Sequence, residues 1–125
     1  MSSLLIKNLK IPNIKLAITK EEQKNGLMGV INPDIMAFPY KQEDIRKFWM
    51  KNTPSHLDII FCNAGKVIYI DDALPFDESL VGPNEKCDLV VECPYGFVRH
   101  NAIEVGDKAR LRLDKFELMR KLKET

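Results

Sequence analysis

The sequence predicts a mainly β (α+β) domain: a small β-barrel-like or rolled antiparallel sheet with a short N-terminal helix and a C-terminal helix. Three observations point there. Short runs of apolar, β-branched and aromatic residues recur along the chain, Gly, Pro and Asn punctuate them at short intervals, and few segments carry a helix-start signal. The 125 residues, 45% hydrophobic and 30% charged, suffice for one core and no more, so residues 1–125 are expected to form a single domain.

Residues 4–11 and 14–18 are apolar-rich strand candidates separated at Pro12-Asn13. Thr19-Lys20-Glu21-Glu22 has the form of a capping box, in which the Thr19 hydroxyl accepts from a first-turn amide and the Glu22 carboxylate reaches back to the cap N–H. The helix that follows ends near Gly26, which tolerates the left-handed conformation after a helix. Residues 29–45 contain Pro33 and Pro39 and read as loop, with a brief strand at 35–38.

Three strands are expected next, at 46–51, 57–62 and 66–70, the last two joined by a three-residue hairpin loop, Asn63-Ala64-Gly65. With tight links, Met50 lies opposite Asp58 and Trp49 opposite Ile59. Alternation then gives one face Trp49, Leu57, Ile59, Phe61, Val67 and Tyr69, and the other Phe48, Met50, Asp58, Ile60, Ile68 and Ile70. Both sets are largely apolar, so 57–62 should be a strand covered on both sides. Residues 71–86 form a polar loop, 87–92 a strand, and a short helix runs to Asn101. Residues 103–111 have the cadence of a strand, a tight corner at Gly106-Asp107 and a returning strand. Asp114 caps a last helix over 115–124, with Phe116, Met119 and Leu122 along one stripe.

The balance of 19 basic against 18 acidic side chains, a net charge of +1, supplies no basic field for counterion release, so no nucleic-acid partner is expected. Cys62, Cys87 and Cys93 are an odd set without C-x-x-C spacing, as reduced thiols in the cytoplasm would be. The N-terminus lacks a long apolar segment and no later run reaches the length of a membrane span. The expected location is therefore cytoplasmic.

Residues 48–61 hold the only Trp, one of two His residues and two apolar runs split by a polar corner. Trp49 and Met50 read either as core or as the lining of a ligand slot. Lys51, Asn52, Thr53 and Asp58 gather a cation, an amide, a hydroxyl and a carboxylate within a few residues. A carboxylate on a largely apolar face must be paired or hydrogen-bonded, so Asp58 either ties down turn amides or faces a polar ligand at a pocket mouth. Glu92 ends a strand just before Pro94 and either meets Asp58 across the sheet or is solvated. Asp107 reads as a turn former. His56 and His100 are isolated, and no metal-ligand spacing, nucleophile elbow or phosphate loop is present. No cofactor and no metal are expected.

These residues also carry a resemblance. The order Gly26-Leu27-Met28-Gly29, Ile35-Met36-Ala37-Phe38, the block Phe48-Trp49-Met50-Lys51-Asn52-Thr53 with Leu57-Asp58, then Glu92, Pro94, Gly96 and Val105-Gly106-Asp107 resembles the uncharacterised prokaryotic and phage-borne family catalogued as domain of unknown function 192. The match spans roughly residues 14–113. It departs from the family pattern at Ser55, His56 and Ala37. The resemblance implies a small β-rich fold and no established chemistry.

The resulting expectation is a non-enzymatic binding or accessory module for a small polar ligand or a protein. Its rim would lie near residues 51–53, Asp58 and the 94–100 loop. Two alternatives stand beside it. One is a small hydrolase-like enzyme with Asp58 and Glu92 as acid and base and Lys51 stabilising developing negative charge. The other is a structural component of a phage particle, which the resemblance to phage-borne relatives suggests.

Overall fold

The computed structural model describes residues 1–123 and contains two β-sheets and three short helices. Strands β1 (Ser3–Ile6), β2 (Leu9–Ile11) and β8 (Ala109–Arg112) form a three-stranded antiparallel sheet in the order β2-β1-β8. The larger sheet has the order β3-β4-β7-β5-β6, with β3 (Lys15–Leu16), β4 (Met36–Ile45), β5 (Leu57–Asn63), β6 (Lys66–Ala73) and β7 (Lys86–Pro94). Its pairings are antiparallel except that β3 runs parallel to β4. The mainly β, α+β class holds, but the sheets do not close into a barrel. Edge strand β6 touches the smaller sheet only briefly, at the corner leading into β8, where Val67 N donates to Asp107 O (2.9 Å), Gly106 N to Val67 O (2.8 Å), and Lys66 bridges Lys108, with no continuous ladder between them among the described residues.

Helix α1 (Lys20–Asn25) carries the expected capping box: Glu22 N donates to Thr19 Oγ1 and Thr19 N to Glu22 Oε1, each at 3.1 Å. It ends at Gly26 (φ +49°). Helix α2 (Phe97–His100) follows Gly96. The Asp114 carboxylate caps α3 (Lys115–Lys123) by accepting from Phe116 N and Glu117 N. Residue 124, placed in this helix from sequence, lies outside the described residues. Phe116, Met119 and Leu122 do form a stripe, but it faces solvent.

The larger sheet has an apolar layer on each face. Ile60, Cys62, Val91 and Cys93 pack against Leu4, Ile6 and Ala109 of the smaller sheet. On the other face, Leu57, Ile59, Phe61 and Val90 pack with Phe38, Leu27 and Met50. Phe48 locks this second layer through edge-to-face contacts with Phe38 (5.1 Å between centroids) and Phe61 (5.8 Å). Residues 57–62 are buried on both faces, as the apolar run predicted.

Several expectations are corrected. Residues 46–51 are not a strand of the sheet. The segment touches the loop after β6 through one bridge, Phe48–Val81, and turns at Asn52 (φ +57°), so β5 pairs instead with β6 and β7. Met50 therefore does not face Asp58, nor Trp49 Ile59. The hairpin after β5 is a two-residue turn, Ala64-Gly65, with both φ positive, which matches strand twist. A bulge at Phe61/Cys62 exchanges two side chains: Val67 joins the Ile60 layer and Ile68 the Phe61 layer. Residues 4–11 fold into a hairpin rather than one strand, with Lys7 at φ +55°. β4 extends to Ile45 because it pairs along β7 as far as Asp44–Cys87 and Ile45–Lys86, whereas β3 covers only Met36 and Ala37. Beyond them β4 is an edge on which Pro39, lacking an N–H, is tolerated. Residues 103–105 are not a strand, although Asp107 closes its corner by accepting from Glu104 N (2.7 Å).

Candidate functional site

The sequence drew attention to two carboxyls, and the sheet separates them. Asp58 pairs in register with Cys93, whereas Glu92 pairs with Ile59. Side chains alternate along a strand, so Asp58 points to the smaller-sheet side and Glu92 to the opposite side. The acid–base pair that a hydrolase-like reading requires is therefore not assembled.

Asp58 is spoken for. Its Oδ2 accepts from Gly96 N and Val98 N, each at 3.0 Å, and so holds the turn that opens α2. The turn amides it satisfies are those of 96–98, not those of the 51–53 corner. Beside it Tyr95 stacks on the His56 ring (3.7 Å, 9° between planes), and His56 pairs with Asp72.

Residues 46–53 run as a strap over the Glu92 face. Met50 N donates to Asp77 O (2.7 Å), and Phe48 exchanges two bonds with Val81. Gly82 makes the strap's approach feasible: a Cβ there would sit 2.7 Å from Arg46 O, and its φ is +127°. Within the strap, Met50 is core and Trp49 is 43% exposed. The Lys51 ammonium lies over the Trp49 ring at 5.2 Å. Asn52 supplies a carbonyl to Gly29 N (2.8 Å), and the buried Thr53 donates its hydroxyl to Lys51 O (3.2 Å).

Between this strap, the end of α1 and β4 lies an open cleft of about 380 Å³. Phe38, Tyr40, Phe48 and Trp49 supply aromatic wall, and Thr53 and the Gly26 turn complete it. Glu92, only 4% exposed, contributes to its lining from β7. Among the described residues, Glu92 Oε1 is buried with no hydrogen-bond partner. Burial without compensation disfavours the charged form and pushes the Glu92 pKa up to about 7. Gly26 is the reason that this oxygen has room, since a Cβ there would stand 3.3 Å from it.

Of the candidates from sequence, the cleft gathers Trp49, Thr53 and Glu92. Met50, Lys51, Asn52 and Asp58 do not line it. Sequence reasoning missed Tyr40, Arg46 and Phe48 as lining groups. Tyr40 and Arg46 belong to no motif, and Phe48 was assigned to a sheet face. The three Cys thiols are buried and unbridged, and burial raises the pKa of each. Among the described residues, no helix is long and apolar enough to cross a membrane.

The fold and sequence have relatives. A solved structure from Novosphingobium aromaticivorans, of a protein of unknown function, superposes with a TM-score of 0.76 at 30% identity over 87% of this chain and 82% of that one. A candidate transcription regulator from Sinorhizobium meliloti superposes at 0.75 with 24% identity, over 87% and 90% of the two chains, and is similar in fold alone. No curated protein matches the chain. The profile of the family described as Uncharacterized ACR, the domain of unknown function 192, matches residues 5–111. With that span covering most of its length and aligned with the two-sheet fold, the chain belongs to the domain of unknown function 192 family.

Proposed function

We propose that this domain is a binding module for a small polar molecule, seated in the cleft over Glu92 and not at the Asp58 corner. The observation that carries this reading is the orphaned Glu92 Oε1, buried at an aromatic-walled cleft of about 380 Å³. An unsatisfied buried acceptor costs about 1–3 kcal/mol, and a ligand donor reaching it removes that penalty. The volume falls within the range of small-molecule sites, roughly 300–1,000 Å³. At the Asp58 corner, by contrast, Oδ2 is already taken by two backbone amides.

The chain's only Trp is Trp49, on the cleft wall, so its fluorescence reports on the seat directly. Titration with a panel of small polar metabolites is expected to yield ligands that change Trp49 emission and shift the amide resonances of Gly26 and Thr53. Glu92→Leu, with folding verified by circular dichroism, should abolish that response. Ligands that shift only residues 95–104, or a response unchanged in Glu92→Leu, would overturn the assignment.

A further inference from the structure

The charges around the cleft are lopsided. Lys24, Arg46 and Lys47 are among its lining residues, and Glu92 is the only acid among them. The chain as a whole carries a net charge of only +1, so three cations on one cleft concentrate a positive field that the totals conceal. Among the described residues, the Lys24 ammonium has no ion-pair or hydrogen-bond partner. Lys47 Nζ donates once, to Gly82 O (2.6 Å), which leaves it further N–H groups.

Arg46 adds a second orphan. Its guanidinium lies 3.8 Å over the Tyr40 ring and one terminal nitrogen donates to Gln42 O (2.8 Å), but its Nε is buried without a partner among the described residues. Two residues lining one cleft thus each carry an unfilled buried polar atom, an acceptor at Glu92 Oε1 and a donor at Arg46 Nε. An apolar ligand leaves both unfilled, and a cationic ligand meets three like charges. A molecule with a hydroxyl donor and an anionic group fills both, since guanidinium N–H groups favour carboxylate and phosphate oxygens.

Resting on the cleft as the ligand seat, we infer that it selects a small hydroxylated anion: a ligand hydroxyl donates to Glu92 Oε1 while its carboxylate or phosphate is held by Arg46, Lys24 and Lys47. Sugar acids and sugar phosphates share that chemistry. The raised pKa of Glu92 supports the sign of the selection, because its acid is increasingly neutral as pH falls below about 7 while the three cations stay charged.

The test is a Trp49 fluorescence titration of the full chain with gluconate, glucose 6-phosphate, glucose and glucosamine. At least one of the two anions should bind ten or more times tighter than glucose, and glucosamine should be weakest. The preference should shrink several-fold in Lys24→Gln, an exposed position, and in Arg46→Gln with folding verified by thermal melting. It should also shrink with added salt, as screening requires. Which anion wins separates carboxylate from phosphate recognition. Glucose binding as tightly as both anions, or glucosamine binding tightest, overturns the selection and leaves the seat intact. If all four probes are silent while another ligand quenches Trp49, the class is likewise overturned. Silence from every ligand overturns the seat as well.

Discussion

Asp58 and Glu92 sit on adjacent strands of one sheet, 6% and 4% exposed, yet their surroundings treat them differently. Asp58 receives two amide donors from the 96–98 turn. Glu92 faces a cleft, and burial pushes it toward its neutral form. The lesson is that burial alone does not tell a structural carboxyl from a functional one; the donors that reach it do. Asp58 organises the fold, whereas Glu92 weakens it at neutral pH, which marks it as the more informative of the two.

The largest effect that separates them should come from Asp58→Ala. It leaves two amides of the 96–98 turn without their acceptor, at about 1–3 kcal/mol each. Urea unfolding is therefore expected to show a loss of about 2–5 kcal/mol. A loss below about 1 kcal/mol would mean that solvent replaces the carboxylate and that the contrast is overdrawn.

Glu92→Gln should act in the other direction. The folded-state pKa of about 7 lies above the ordinary 4.5, so between those values the folded chain holds a proton that the unfolded chain has released. Wild-type stability should then fall as pH rises from about 4.5 to about 7 and level off above, by on the order of 3 kcal/mol. Glu92→Gln should flatten this slope and be the more stable protein at pH 8. A slope that persists in Glu92→Gln assigns it to another group.

Smaller effects sharpen the picture of the cleft. Gly26→Ala places a Cβ 3.3 Å from Glu92 Oε1 at a φ of +49°, and a loss of about 1–2 kcal/mol is expected. Trp49→Ala removes a half-exposed ring, so it should cost under about 1 kcal/mol while removing much of the cleft's aromatic wall. If Trp49→Ala instead unfolds the protein, Trp49 is core and the cleft reading weakens.

The sequence disclosed what depends on near neighbours. The Thr19–Glu22 capping box, the Asp114 cap, the Asp107 corner and the apolar run of β5 each rest on residues a few positions apart. Residues 46–51 of the strap read as a strand because Phe48 and Met50 alternate like strand residues. In the fold their burial comes from the Phe38–Phe48–Phe61 packing and the loop after β6, with one bridge in place of a ladder. The Val67–Ile68 exchange came from a bulge that no local pattern announces. The cleft was least legible: Gly26, Tyr40, Arg46, Trp49 and Glu92 come from four separate parts of the chain, and the pattern that includes Gly26, Trp49 and Glu92 does not say that they meet. Glu92 was singled out, but its freedom from partners is a property of the packed structure.

The most direct measurement is the titration of the Glu92 side-chain carboxyl carbon by NMR, assigned by its disappearance in Glu92→Gln. The account predicts a midpoint near pH 7, well above the ordinary 4.5. A midpoint at or below 4.5 would show that the carboxylate is solvated or paired after all, and would contradict the uncompensated buried acid on which the cleft's role rests.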